Sequence, residues 1–160
     1  MKKITLLLLL LTISIGAYSQ SSAELDWRTK DAINMAEWML KKEKANSEEQ
    51  AFAFNKLNAL KKAVEISPDE ETQLKDLFKS QYPVLKEAYS LYSKNKTAQA
   101  KVSLYKTIIS LEDNFRAKLN DKQTIFYKSY STEKGGLEQS TFLQYFMPEQ
   151  IYYSYKKELL

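Results

Sequence analysis

Cysteine and histidine are both absent from the 160 residues, and glycine and proline occur three times each. Without cysteine there is no disulfide and no thiol chemistry. Without histidine the chain lacks the commonest general base and the commonest transition-metal ligand. So few glycines and prolines leave few tight turns, which argues against a many-stranded β fold. Also missing are an EF-hand loop, an H-E-x-x-H pair, a glycine-rich phosphate loop and a G-x-S-x-G turn. Acidic clusters do occur at Glu48-Glu49, Asp69-Glu70-Glu71 and Glu112-Asp113. The first two fall in opening turns of expected helices, where negative charge complements the dipole. Neighbours such as Glu112 and Asp113 point in different directions on a helix and make a poor acid–base pair. The expectation is a protein that is not an enzyme, with no catalytic residue, metal or cofactor; hydrolysis by carboxylates alone is the remaining catalytic alternative.

Only one long apolar run is present, at the beginning. Lys2 and Lys3 precede the run Ile4 to Ile15, Gly16 breaks it, and Ala17-Tyr18-Ser19 supplies the small-x-small pattern of signal-peptidase sites. Its length of about twelve residues is well short of the roughly 20 needed to span a bilayer. Residues 1–19 are therefore expected to be a cleaved signal peptide, with Gln20 the new terminus. No cysteine follows the run, which closes the lipoprotein route, and the periplasm of a Gram-negative cell is the expected destination. No stable membrane anchor would remain after cleavage. Loss of Lys2 and Lys3 from 24 basic residues leaves 22 against 20 acidic ones, a formal +2 with the signs interspersed. Such a balance gives little support for nucleic-acid binding. About 140 remaining residues suit one domain with a core of its own.

Helix formers dominate the rest, and apolar spacing predicts an all-α fold of five or six helices, either antiparallel hairpins or a small bundle with some curvature. A first helix is expected from about Ala23 to Lys44, with Leu25, Ala32, Ala36 and Leu40 on one face. Trp27 and Trp38, eleven residues apart, share roughly the opposite face. A second follows Ser47 with Ala53, Leu57, Leu60 and Val64 in phase and Phe54 beside them. A third starts at Pro68 and keeps Leu74, Phe78, Leu85, Ala88 and Tyr92 in phase across Pro83, which suggests one kinked helix more than two separate ones. The fourth, Thr97 to Leu119, carries two stripes: Ala100, Leu104, Ile108, Leu111, Phe115 and Leu119, and beside them Val102, Tyr105 and Ile109. Together these cover about 200° of the helix surface, more than one neighbour can hide. A shorter helix follows Asp121. Gly135-Gly136 then separates the helical domain (20–134) from an aromatic-rich segment (135–160), read either as a final helix or as a segment that docks on the bundle.

Three helix starts share one grammar: Ser47 with Gln50, Ser67 with Glu70, and Asn120 with Gln123, each a capping-box pair. Two of them have an aliphatic residue before the cap, in Ile66-Ser67-Pro68-Asp69-Glu70 and Leu119-Asn120-Asp121-Lys122-Gln123, 53 residues apart. This pair resembles the LTxxQ motifs of the Spy/CpxP-like periplasmic helical proteins, over a stretch from Ile66 to about Tyr130. Ile stands for Leu and Glu for Gln in the first motif, and Asn for Thr in the second. Asn46 is the wrong residue before a third copy at Ser47. The resemblance implies a curved helical cradle that binds unfolded envelope proteins without nucleotide, or an extracytoplasmic sensor domain. Ile66, Ser67, Glu70, Leu119, Asn120 and Gln123 would then pin helix ends and touch no substrate. Metal-binding relatives use histidine-containing sites, which this chain lacks.

A surface for unfolded proteins needs exposed apolar groups rimmed by charge. Val102, Tyr105 and Ile109, flanked by Lys101 and Lys106, are one candidate; the alternative is a central helix packed on two sides. Trp27 and Trp38 are contact or dimer residues, or else core residues. Tyr152 and Tyr155 of the C-terminal segment would cover the cradle, contact a partner, or simply pack. The functional alternative is a structural or adaptor protein of the envelope that acts as a homo-oligomer, a homodimer at its simplest.

Overall fold

The structure, a computed structural model, describes residues 25–132 and 137–159. The expected signal peptide and the Gly135-Gly136 break lie outside the described residues. Among those described there are helices and no strand. In chain order they are α1 (25–41), α2 (Glu48–Leu60), α3 (Pro68–Asn95), α4 (Ala98–Arg116), α5 (Asp121–Thr132), α6 (Leu137–Tyr145) and α7 (Glu149–Leu159). The chain is an all-α small helical bundle. No described helix is long and apolar enough to cross a membrane.

Its spine is the α3–α4 hairpin. Lys96 takes a left-handed conformation (φ 48°) and returns its N–H to Tyr92 O at 2.7 Å, which ends α3. Thr97 then caps α4 by accepting from Ala100 N at 3.2 Å. Phe78 meets Phe115 (5.6 Å between ring centres) and Gln81 meets Leu111 O, pairs placed symmetrically about this two-residue turn. α3 runs unbroken through Pro83, whose ring faces solvent. Leu74, Phe78 and Leu85 on its expected stripe are buried, and Ala88 and Tyr92 are half-buried. α2 lies along α3 and is tied to it by Tyr82 Oη donating to Glu48 at 2.7 Å and Lys86 bridging Glu48 and Glu37.

α4 is packed on both stripes. Phe115 joins a core of Leu57, Leu60, Phe78, Tyr127, Phe142 and Phe146. On the other side Leu104, Tyr105 and Ile109 meet Met147, Tyr152 and Tyr155. The helix proper stops at Arg116, so Leu119 sits in the following turn. Leu40, expected in the buried stripe of α1, is exposed, because that stripe loses cover at the end of the helix where the chain turns through Glu43 (φ 55°). The aromatic C-terminal segment forms α6 and α7, with Pro148 in the break between them, and both pack into the core.

Candidate functional site

Both motif-like sequences fold as complete capping boxes. Ser67 Oγ accepts from Glu70 N (3.4 Å) while Glu70 Oε2 accepts from Ser67 N (2.9 Å). Asn120 Oδ1 accepts from Gln123 N (2.9 Å) while Gln123 Oε1 accepts from Asn120 N (3.0 Å). Pro68 occupies the first helical position after Ser67, where a missing N–H costs nothing. The copy at Ser47 differs: Ser47 accepts from Gln50 N, but Gln50 Oε1 reaches Asn46 N and not the cap's own N–H.

The two boxes also meet each other. Gln123 Nε2 donates to Glu70 Oε1 at 3.1 Å and to Glu65 O at 3.0 Å. The N-terminal ends of α3 and α5, 53 residues apart in sequence, are thereby clasped side by side. Donors from Ser67, Gln123 and Asn120 hold the Glu70 carboxyl below its ordinary range, the Ser67 backbone N–H contributing most. The groove over this clasp is lined by Glu65, Ile66, Lys122 and Phe126 in addition to the capping residues. Ile66 and Leu119 are half-buried beneath it. Ile125 and Phe126 stand exposed on the first turns of α5, a pair the spacing of apolar residues does not single out.

The other candidate residues divide sharply. Trp27 (61% exposed) and Trp38 (45%) lie on the outer face of α1, with Met35 nearby. At 3.6 residues per turn, an eleven-residue spacing sets the two indoles within about 20° of each other. Lys44 Nζ sits over the Trp38 ring at 4.6 Å, and Lys41 and Lys42 are exposed alongside. Val102 is exposed (41%), but Tyr105 and Ile109 are buried and unavailable as an open surface. Their cover is α7: the Tyr105 and Tyr155 rings meet edge-on at 5.1 Å. Tyr152 and Tyr155 are likewise buried against the bundle, while Tyr153 between them is exposed. The physical reason is the width of the apolar surface on α4, which leaves a second strip for α7 to cover.

One polar cluster was not among the groupings singled out from the sequence. Glu112 is buried and accepts from Arg116 Nε (2.9 Å) and from Tyr127 Oη. Arg116 also pairs with Glu149, donates to Met147 O at 3.4 Å, and lays its Cζ 3.8 Å over the Tyr152 ring. Asp113, on the outer side, accepts from Tyr152 Oη and from Lys156 Nζ (2.8 Å); burial pushes its pKa up, but these hydrogen bonds and the charges of Lys156 and Arg116 together bring it below the ordinary value. Lys56 is buried nearby, and desolvation lowers its amine from 10.5 to about 8 despite the pull of Glu112. The one available signal was the i,i+4 pair Glu112–Arg116 in phase with Tyr105 and Ile109. Among the described residues no group of three or more carboxylates gathers as a metal site.

Comparison with protein-family models, curated proteins and solved structures finds no match to the chain.

Proposed function

We propose that the protein is exported to the periplasm and binds apolar segments of unfolded envelope proteins without nucleotide, in the manner of the Spy/CpxP-like proteins. The observation that carries this reading is the outer face of α1, where Trp27, Met35 and Trp38 are exposed among lysines. Large aromatic groups left on one face of a helix are uncommon without a partner, and the surrounding ammonium groups favour weak, reversible contact. The paired capping boxes give the fold a rigid clasp and are consistent with the same resemblance. A structural role for Ile66, Ser67, Glu70, Leu119, Asn120 and Gln123 is supported by the capping bonds of Ser67, Glu70, Asn120 and Gln123 and by the half-buried Ile66 and Leu119 beside them. An extracytoplasmic sensor domain is an alternative partner for the same face.

The purified protein is expected to suppress light scattering from a denatured client at near-stoichiometric ratios. The double variant Trp27→Ala, Trp38→Ala should lose most of that effect while its thermal midpoint stays put. No suppression over several unrelated clients removes the chaperone reading. A discrete oligomer in sedimentation that the double variant dissolves would replace it with the adaptor reading. Export is tested separately, by intact mass after expression with the leader, which should lack residues 1–19.

A further inference from the structure

The outer face of α1 repeats one unit. Trp27 and Lys30 recur as Trp38 and Lys41, the same W-x-x-K pattern eleven residues on. Eleven residues make about three helical turns, so the two pairs stay in phase, about 16 Å apart along the axis. Lys30, Lys41, Asn34, Trp27 and Trp38 fall within about 80° of the helix surface, and all of them are exposed. No carboxylate of α1 lies in that strip. The carboxylates of this helix are held by other parts of the bundle: Asp26 accepts from Tyr92 Oη at 2.7 Å, Asp31 accepts from Gln144 Nε2 at 2.7 Å, and Glu37 pairs with Lys86 at 2.9 Å. In the exposed turn beyond the helix, Glu43 is outnumbered by Lys42 and Lys44. Indoles and ammonium groups are thereby sorted outward, and negative charge is turned toward the neighbouring helices.

We infer that this strip docks on the surface of a bilayer whose facing leaflet carries anionic lipid. An indole has an apolar body and a polar N–H, and it settles at the depth of lipid headgroups. A lysine one turn along the helix keeps its stem against the apolar layer and its ammonium among the phosphates. Anionic lipid attracts such lysines over no more than about a Debye length, so the charges act where the indoles also touch. A repeated Trp–Lys pair needs a partner that offers the same chemistry at both points. A leaflet does so at any spacing, whereas a folded protein would have to match about 16 Å. Lipid docking needs no client and does not rest on the client reading; the two partners would occupy the face by turns.

Trp27 and Trp38 are the only tryptophans in the sequence, so indole emission reports on this strip alone. The probe is vesicles of mixed phosphatidylglycerol and phosphatidylcholine, with phosphatidylcholine alone as the neutral control. A chain starting at Gln20 is used, because it keeps every described helix and drops the apolar run Ile4 to Ile15, which would bind any bilayer. Anionic vesicles should co-sediment the protein and shift its emission to the blue, and neutral ones should do far less of either. Lys30→Gln and Lys41→Gln, at exposed positions, should each weaken anionic-vesicle binding about fivefold while the circular dichroism spectrum stays unchanged. No blue shift with anionic vesicles, an equal shift with neutral ones, or undiminished binding when both lysines are replaced overturns the assignment. Client suppression that persists while vesicle binding fails overturns lipid docking and leaves the client reading standing. Vesicle binding without client suppression does the reverse.

Discussion

Lys56 exchanges water for four phenylalanine rings and one amide oxygen, and the exchange is readable in pH. The unfolded chain keeps the lysine proton up to about 10.5, whereas the folded chain releases it at about 8. Between those values the unfolded state binds more protons, so stability rises with pH. The full span corresponds to roughly 3 kcal/mol. Buried tyrosines act in the opposite sense: burial raises Tyr127, and burial with the Glu48 hydrogen bond raises Tyr82. Unfolded tyrosines ionise near 10, so above about pH 10 the curve turns down. Urea unfolding at steps from pH 7 to 11 should therefore show a maximum near 9 to 10, and Lys56→Met should remove the rise from 8. Lys56 could not be picked out from sequence, since a lysine in a mixed-charge helix reads as solvated. Its burial follows from Phe52, Phe78, Phe115 and Phe146, which three separate elements and the link to α7 bring together.

At the scale of elements, α7 is attached to α4 by charge as well as by rings. Arg116→Ala leaves Glu112 and Glu149 buried without their cation and should cost about 3–5 kcal/mol in denaturant unfolding. Lys156→Ala, at a more exposed pair, should change stability by no more than about 0.5 kcal/mol. Truncation before Glu149 uncovers Tyr105 and Ile109, and ANS fluorescence should rise accordingly. The clasp between α3 and α5 is testable by a double-mutant cycle. Ser67→Ala and Gln123→Ala should each lose about 1 kcal/mol or somewhat more. Their effects should fail to add, because the Ser67 hydroxyl and the Gln123 amide both donate to the Glu70 carboxyl. Helix starts were the most legible part of this scale, since Ser67 and Asn120 cap by local chemistry that needs no distant partner. The contact between the two caps was not legible. It depends on Gln123 having an amide N–H to spare after closing its own box.

For the whole molecule, the all-α class and the phase of α3 followed from composition and periodicity, because Leu74, Phe78 and Leu85 recur at helical spacing. Which stripe stays outside did not follow. Val102, Tyr105 and Ile109 form one stripe by spacing, yet α7 covers two of them and leaves the third in solvent. The indoles of α1 are a similar case, since nothing local distinguishes an aromatic that packs from one left in solvent.

The sharp return at Lys96 has a consequence for how the chain tolerates a cut. Lys96 and Thr97 are exposed, and at 1.5 Å per residue the clasp at the start of α3 is about 42 Å away along the 28-residue helix. A protease nick at this tip breaks no buried contact. The two fragments would each carry one partner of the Glu70–Gln123 bond and half of the phenylalanine cluster, so they should elute together under native conditions and part only in denaturant.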